Sequence, residues 1–327
     1  MFSLNLNKQA ELPADIVEND FSLQVEAAVT EVSKAVLGKE HQIRLALCCL
    51  FAGGHLLIED LPGMGKTTLS YALAKALGLG YNRIQFTSDL LPADILGISI
   101  FDQNTHEFLF HPGPIFSQLV LADEINRTTP KTQSALLEAM EERQVTIEGE
   151  TRVLPEPFFV IATQNPVTLA AGTYPLPESQ LDRFLMRLRL GYPDQRAERE
   201  LLEMNTERDK IASVKQCLST AEVLNFRKHS AHVNASDSLL DYVQRLIAYT
   251  RGTDEFHFGL SPRGSLAVMR AAKTWALMCG RNHVIPEDVQ TILPAVAEHR
   301  LRANSDEDGH TGASLVQRLL NAVDIIE

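Results

Sequence analysis

The sequence predicts an α/β protein in which a parallel sheet, with helices on both faces, is followed by a smaller helical domain. Short apolar segments alternate with helical segments from residue 56 to residue 190, as in a parallel sheet with crossover helices. A Gly-rich loop follows the first apolar segment. Beyond Gly191-Tyr192-Pro193 the apolar spacing is helical. We therefore expect a core domain of residues 1–192 and a helical domain of residues 193–327.

Apolar spacing and turn residues predict the elements in order. Residues 1–20 look irregular. The core is predicted to contain helices at 21–36, 41–52, 69–76, 90–97 and 129–142, a short helix near 115, and strands at 56–58, 81–86, 119–122, 158–162 and 185–190. Two hairpins are predicted, with strands at 98–101 and 107–110 and at 145–147 and 152–154. The second domain is predicted to contain helices at 196–205, 239–250, 262–279 and 286–300, and a tail helix from 313 after a polar linker at 304–311.

Composition and charge narrow the class of protein. The 327 residues are 45% hydrophobic and 22% charged, which is typical of a globular protein with a core of ordinary size. The sequence contains neither an apolar run long enough to span a membrane nor a secretory signal. The four cysteines form no C-x-x-C pair, which favours buried thiols and a cytoplasmic protein. The net charge of −12 argues against non-specific binding of nucleic acid.

The central motif is a phosphate-binding loop between the apolar run 56–58 and the helix that follows it. Glycines let successive backbone N–H groups turn inward towards phosphate oxygens, and the helix N-terminus adds partial positive charge. Lys66 is predicted to reach the β- and γ-phosphates, and the Thr67 hydroxyl to bind Mg²⁺. The predicted phosphate-binding residues are Pro62, Gly63, Met64, Gly65, Lys66, Thr67 and Thr68.

Asp60 departs from the strict motif, which has glycine at this position. Aspartate tolerates unusual backbone angles better than most residues. Since Gly63 and Gly65 remain, we expect the loop to form. Taken alone, the motif also fits a strand, a turn and a helix with a solvated lysine.

Polar residues follow two further predicted strands, at the sheet edge where ligands bind in open α/β folds. Asp123 fits a carboxylate that holds Mg²⁺, and Glu124 fits the base that activates water. Asn165 fits a side chain that positions this water. Each residue alone has an ordinary alternative, a solvated acidic loop for the first two and a turn before proline for the third. Together with the loop they favour hydrolysis of a nucleoside triphosphate.

Arginines extend the predicted site. Arg263 follows Ser261-Pro262, a helix start, and is predicted to close on the γ-phosphate. Arg183 precedes the last strand and is a candidate arginine finger that acts on the nucleotide of a neighbouring subunit. Arg127 is a weaker candidate for that role. The alternatives are a solvated arginine at a helix start for Arg263 and an ion pair with Asp182 or a nearby carboxylate for Arg183.

These motifs, in this order, resemble those of the MoxR family of AAA+ ATPases. The resemblance runs from about residue 21 to about residue 300. The combination is far more specific than any single motif. The residues that carry it are Leu61-Pro62-Gly63-Met64-Gly65-Lys66-Thr67, Leu121-Ala122-Asp123-Glu124-Ile125-Asn126-Arg127, Ala162-Thr163-Gln164-Asn165-Pro166, Leu176-Pro177-Glu178-Ser179-Gln180-Leu181-Asp182-Arg183-Phe184 and Leu260-Ser261-Pro262-Arg263.

The resemblance implies ATP as substrate and Mg²⁺ as cofactor. It implies that Lys66 and Thr67 belong to Walker A, Asp123 and Glu124 to Walker B, Asn165 to sensor 1, Arg183 to the arginine finger and Arg263 to sensor 2. The hairpins are similar to the family's inserts in helix 2 and before sensor 1. The family also implies a ring, usually a hexamer, a helical lid, and chaperone-like remodelling of client proteins, often with a partner that carries a von Willebrand factor A domain.

The sequence gives less information about the residues that contact the base of the nucleotide. Val36 and Leu37, just before the loop strand, are predicted to pack on the purine. The chain has no Asn-Lys-x-Asp segment whose carboxylate would pair with guanine, so ATP is favoured over GTP, mainly by the resemblance.

The leading hypothesis is an ATP-driven motor that remodels proteins. A nucleic-acid motor or loader is the alternative, and the acidic balance of the chain argues against it. A scaffold that binds nucleotide without hydrolysis is a third hypothesis, and the intact Asp123, Glu124, Asn165 and Arg183 make it the weakest.

Overall fold

The computed structural model describes residues 21–165, 172–203, 211–303 and 312–325. The predicted irregular segment 1–20 and the linker 304–311 lie outside these residues. In chain order the first elements are α1 (Phe21–Ser33), α2 (Glu40–Phe51), β1 (Leu56–Glu59), α3 (Lys66–Ala76), β2 (Tyr81–Gln85), α4 (Pro92–Leu96), β3 (Gly97–Asp102), β4 (Glu107–Pro112), β5 (Leu119–Asp123), a 3-10 turn (Ile125–Arg127), α5 (Pro130–Glu142), β6 (Gln144–Ile147), β7 (Glu150–Val153), β8 (Phe159–Gln164), α6 (Glu178–Leu181) and β9 (Met186–Leu188).

Five of these strands form a parallel sheet in the order β2-β5-β8-β1-β9. Successive side chains of a strand point to opposite faces, so Leu56 and Ile58 join one apolar core while Leu57 joins another. Helices α1, α2 and α3 cover the first face, and α4 and α5 cover the second. The predicted parallel sheet with helices on both faces is confirmed.

Both predicted hairpins are present. β3 pairs with β4, and β6 pairs with β7, each in antiparallel register. The short helix predicted near Ile115 is absent, since residues 113–118 form turns and bends. Six residues separate the end of β4 from the start of β5, and within them Gly113 and Ile115 donate their N–H groups to the carbonyls of Leu96 and Ile95 at the end of α4.

The second half of the chain is helical, as predicted, and also carries a short two-stranded ribbon. Its elements are α7 (Gln195–Glu203), α8 (Thr220–Ala231), α9 (Asp237–Gly252), β10 (Phe256–Phe258), α10 (Pro262–Met278), α11 (Pro286–Ala297), β11 (Arg302–Ala303) and α12 (Gly312–Ala322). β10 and β11 pair in antiparallel register. Sequence reasoning missed this ribbon and α8. The serine predicted to cap α10, Ser261, does so by accepting a hydrogen bond from the Gly264 N–H.

The helical half packs against α2 and the edge strand β9. The contacts concentrate where β9 begins, since the Phe184 carbonyl accepts from Arg300 and lies 3.1 Å from the His299 Nε2. The end of α11 and the residues that follow it therefore sit near the N-terminal ends of the strands, away from the loop that follows β1. This position decides which predicted arginines can reach the phosphate-binding loop.

Two further predictions concern cysteines and the membrane. Cys48 and Cys49 are buried and unpaired, as expected, whereas Cys217 is half-buried and Cys279 is exposed. Among the described residues, no helix is both long enough and apolar enough to cross a bilayer.

Candidate active site

The loop between β1 and α3 forms the floor of a small polar cavity. Gly63 and Gly65 have φ angles of 82° and 81°, which residues with side chains rarely adopt, and Gly65 caps the N-terminus of α3. The cavity has a volume of about 230 Å³. It is lined by Pro62, Gly63, Gly65, Lys66, Thr67, Thr68, Asp123, Glu124 and Asn165. The structure thus brings together residues from three separate parts of the sequence, as the motif spacing indicated.

Lys66 connects the loop to the neighbouring strand. Its Nζ donates to the Asp60 carbonyl at 2.6 Å and to the Asn165 Oδ1 at 3.2 Å. Burial lowers the pKa of Lys66, and the nearby charges of Asp60, Asp123 and Glu124 oppose this shift. These carboxylates favour the charged amine in a cavity where an isolated cation would be costly.

Asp123 ends β5 and is held from two sides. Its Oδ1 accepts from the Thr163 hydroxyl and its Oδ2 from the Arg83 Nη2, each at 2.6 Å. Asp123 lines the same cavity as Thr67, so a carboxylate and a hydroxyl face one space. Within the described residues, no three His, Cys, Asp or Glu side chains cluster as a protein-only metal site. This sparse set of oxygen ligands fits Mg²⁺, which usually keeps water and phosphate ligands.

Glu124 has an unusual backbone conformation, and both oxygens of its carboxylate accept hydrogen bonds. Its φ and ψ of 58° and 48° are left-handed, a conformation that is uncommon without a glycine and recurs at functional sites. Oε1 accepts from the Asn165 Nδ2 at 3.2 Å, and Oε2 accepts from Gln85 at 3.1 Å and Arg127 at 3.0 Å. Asn165 therefore joins Lys66 to Glu124 in one chain of hydrogen bonds.

Three side chains of this network were not predicted as site residues. Arg83 and Gln85 lie on β2, and Thr163 lies on β8. Besides binding Asp123, the Thr163 hydroxyl accepts from the Glu124 N–H at 2.9 Å. The only sequence signal for these residues is a polar side chain at or near a strand end beside a predicted site residue.

Asp60 corrects one argument made from the sequence. Its φ is not positive, so the loop does not need an unusual angle at this residue. Instead the buried carboxylate accepts from the N–H groups of Leu61, Leu190 and Gly191 at 2.8, 2.7 and 2.7 Å. Asp60 thus ties the start of the phosphate-binding loop to the chain that leaves β9.

Three of the predicted nucleotide-binding residues, Val36, Leu37 and Met64, are not among the residues that line this cavity. Val36 is buried in the first apolar core, and Met64 packs against the same core. Leu37 is half-buried and is not among the residues that line the cavity. The predicted role of Val36 and Leu37 would require contacts to the base outside this cavity, whereas Met64, predicted as a phosphate-binding residue of the loop, is not among the residues that line the cavity.

Arg183 and Arg263 lie together, but at the opposite edge of the sheet from the cavity. The Arg263 Nη2 is 2.5 Å from Glu141 Oε1, and the Arg183 Nη1 is 3.9 Å from Glu141 Oε2. Arg183 also donates to the Leu137 carbonyl at 2.7 Å. Asp182, the alternative partner for Arg183, instead pairs with Arg300 at 2.7 Å.

The register of the sheet gives the separation. Met186 pairs with Leu56 at the N-terminal ends of β9 and β1, whereas the cavity follows Glu59. The length of β1 alone places the two edges about 10 Å apart. The expectation that Arg263 closes on the cavity of its own subunit is therefore corrected. The reason is that the helical half packs where the strands begin.

Comparison with known proteins identifies the fold family. Residues 55–186 match the model of the ATPase family associated with various cellular activities, and residues 248–319 match that of the AAA lid domain. The chain is 40% identical over 310 residues to chaperone MoxR1 of Mycobacterium tuberculosis, covering 91% of this chain and 81% of that protein. The chain belongs to the MoxR family of AAA+ ATPases. The predicted family and the predicted ATPase activity are thereby confirmed.

Two further comparisons extend over nearly the full length of this MoxR protein. YeaC of Bacillus subtilis, which is uncharacterized, is 44% identical over 300 residues, covering 91% of this chain and 93% of that one. A crystal structure of a proposed ATPase from Cytophaga hutchinsonii matches with a TM-score of 0.84 and 36% identity, covering 94% of this chain and 96% of that one.

Proposed function

We propose that this MoxR-family ATPase hydrolyses Mg²⁺-ATP in a ring of subunits, six by family resemblance, and uses the energy to remodel or mature a partner protein. The observation that carries the proposal is the hydrogen-bonded chain from Lys66 through Asn165 to Glu124 in one cavity. It places a cation for phosphate, a polar amide and a candidate base beside one another.

Binding of the phosphates is assigned to the loop and to Lys66. The backbone N–H groups of such a loop and the N-terminus of α3 favour negative charge, and the Lys66 ammonium adds a full positive charge. Thr67 and Asp123 would hold Mg²⁺, which when bound neutralises the charge that develops on the phosphates. Val36 and Leu37 are proposed to pack on the purine, and Met64 is proposed to belong to the phosphate-binding loop.

Glu124 is assigned the role of general base, and Asn165 that of the residue that aligns the base and the attacking water. The side chain of Glu124 borders the cavity, and its Oε1 is held by Asn165 at 3.2 Å. A carboxylate fixed in this way can accept a proton from water that attacks the γ-phosphate in line.

Arg183 and Arg263 are assigned to the nucleotide of a neighbouring subunit. Both side chains are at least partly exposed, and both approach Glu141 on the far edge of the sheet. They are too far from their own loop, so a second copy of the chain would complete the site. Arg127 binds Glu124 within the same subunit, which makes it the weaker candidate for an action in trans.

Remodelling of a protein partner is supported by the β3–β4 hairpin and by the name of a relative. The hairpin exposes Ile100, Phe101 and Phe108, the last to 71%, and such apolar surface is typical of protein contacts. The mycobacterial relative is named a chaperone. We further propose a cytoplasmic location, a von Willebrand factor A domain partner, and a boundary between core and lid at residue 192.

The experiment is to replace Glu124 by Gln and to measure ATP binding and phosphate release separately. We expect ATP affinity to stay within a few-fold of wild type, because the loop and Lys66 are unchanged. Phosphate release should fall by about 100-fold or more, because the base is lost. Glu138→Gln, at an exposed position of α5, is the matched control. Unchanged turnover in Glu124→Gln would contradict the assignment, and strong stimulation by DNA would favour the nucleic-acid motor.

A further inference from the structure

A second and larger cavity lies far from the phosphate-binding loop, where α8 and α10 meet the segment that leads into β1. Its volume is about 550 Å³, within the range of small-molecule sites. Arg227 and Lys228 line it from α8, and Arg270 and Lys273 line it from α10. Ala52, just before β1, contributes from the core. None of the proposed steps of ATP hydrolysis uses this cavity.

The charges around this cavity are unbalanced. Among the described residues that line it, Glu156 is the one carboxylate, against the four cations. Within the part of the chain that the structure describes, no carboxylate lies within 4.0 Å of Arg227, Arg270 or Lys228 as an ion-pair partner. This concentration of positive charge occurs in a protein whose net charge is −12. Such an arrangement has an electrostatic cost unless an anion offsets it.

The lowered pKa of Arg227 reflects this electrostatic cost. Burial, together with the charges of Arg143 and Arg270, lowers the pKa of Arg227 to about 10, with Glu156 opposing the shift. Its guanidinium lies directly on Gly53, so that a side chain at residue 53 would collide with it. Arg143 donates to the Gly53 carbonyl at 3.1 Å. Two cations are thus held against the short segment between α2 and β1.

The wall of the cavity also has an apolar part. Leu224 of α8 and Met269 of α10 supply side chains that can pack on a ring or a hydrocarbon. A concave space with a few charged groups and an apolar wall is typical of sites for small organic ligands. The acidic balance of the whole protein argues against an extended polyanion such as DNA.

We propose that this cavity binds a small phosphorylated organic anion, whose phosphates pair with Arg227, Arg270 and Lys273 and whose organic part packs on Leu224 and Met269. The anion would link α8 and α10 to the segment that enters β1. Because β1 leads into the phosphate-binding loop, the ligand would hold the helical half against the base of the loop strand.

The test uses the full chain with Lys66→Ala and Thr67→Ala, which weakens binding at the loop. Pyrophosphate and ADP are titrated by calorimetry at low salt. We expect one site for each probe, with ADP binding more tightly because of the apolar wall. Arg227→Gln should weaken both probes about 10-fold, since one charge-assisted contact is lost. Arg270→Gln with Lys273→Gln removes two such contacts, should weaken both probes about 100-fold, and leaves the contact of Arg227 with Gly53 intact.

Matched controls and a second readout complete the test. Arg196→Gln with Arg199→Gln removes the same charge from exposed positions of α7 and should leave both affinities unchanged. Without any anion, Arg270→Gln with Lys273→Gln should raise the Tm, because repulsion among the cations is relieved. Absence of binding, or equal losses in the cavity and control variants, would overturn the proposal. Equal affinity for ADP and pyrophosphate would overturn its organic part.

Discussion

Asp60 shows how one side chain can replace the usual residue of a motif and take on another task. A glycine at this position supplies backbone freedom, which this loop does not use, since the φ of Asp60 is not positive. The buried carboxylate accepts instead from Leu190 and Gly191, 130 and 131 residues further along the chain. The Lys66 amine binds the backbone carbonyl of Asp60, so this contact does not depend on the carboxylate.

We predict that Asp60→Gly, which restores the common motif, destabilises the protein. The change leaves three N–H groups without their charged acceptor and should lower the free energy of unfolding by about 3 kcal/mol. Urea denaturation of the variant and of an exposed control, Glu200→Ala, measures this, and the control should change by less than about 0.5 kcal/mol. A more stable Asp60→Gly variant would contradict the role of the carboxylate.

At the scale of single residues, the sequence predicts the site residues that belong to local motifs and few of the others. Lys66, Asp123, Glu124 and Asn165 lie at strand ends, and the parallel sheet brings such ends to one edge. Two partners of Asp60, Leu190 and Gly191, could not be predicted in this way, because they belong to a distant segment that carries no motif.

His55 connects two elements that flank the start of β1. Its Nδ1 accepts from the Val160 N–H on β8 at 3.0 Å, and its Nε2 lies 3.1 Å from the Met140 carbonyl on α5. With both contacts made, the ring carries its proton on Nε2 and is neutral. Burial lowers the pKa of His55 to about 3.

We predict that His55 makes the fold sensitive to acid. The pKa of His55 is 6.5 in the unfolded chain and about 3 in the folded protein. At pH values between these two, His55 is protonated in the unfolded chain and neutral in the folded protein. Stability is therefore lost as pH falls, by about 2 kcal/mol between pH 7 and pH 5 from this residue. Urea denaturation at both pH values should show a smaller loss, by that amount, in His55→Gln. Equal losses would contradict the prediction. The pKa of buried His299 is also lowered, but this residue is common to both proteins.

The elements that sequence reasoning missed differ in why they were missed. Helix α8 begins with a capping box in which Ser219 and Glu222 satisfy each other's N–H groups, a local signal that was present in the sequence. The β10–β11 ribbon pairs residues that are far apart in the chain, Phe256 and Ala303, so no local sequence pattern predicts it. The helix expected near Ile115 does not form in the six residues between β4 and β5, where the backbone bonds to the end of α4 instead.

At the scale of the whole molecule, the side of the sheet on which the helical half packs was not predictable from the sequence. The cap at Ser261 and the position of Arg263 are local, and both were anticipated. The direction in which Arg263 points depends on contacts between α10, α2 and the start of β9, which form only in the folded protein.

We predict that inactive subunits complement one another when mixed. Lys66→Ala lacks the loop amine, and Arg183→Ala lacks an arginine on the opposite edge, so each alone should hydrolyse ATP poorly. An equal mixture should recover about one quarter of wild-type activity, because about a quarter of random head-to-tail interfaces join two intact halves. Steady-state phosphate release measures this.

A mixture of Arg183→Ala and Arg263→Ala is the control. Both arginines lie on the same edge, so each interface in the mixed ring lacks one of them and activity should stay low. Recovery in this mixture would show that Arg263 acts on its own subunit's nucleotide. Failure of the first mixture would contradict the action of Arg183 in trans.

The meeting of Arg183 and Arg263 at Glu141, on the edge away from the loop, gives each subunit a polarity. In an incomplete ring, the subunit at one end would have a phosphate-binding loop with no neighbour's arginines beside it. The subunit at the other end would have arginines with no neighbour's loop beside them. If the arginines act in trans as proposed, such an incomplete ring would have one working site fewer than it has subunits, and ring closure would add the last. Under the proposed action in trans, a damaged arginine edge would inactivate the site of the neighbour on one side only and would leave the site on the other side intact.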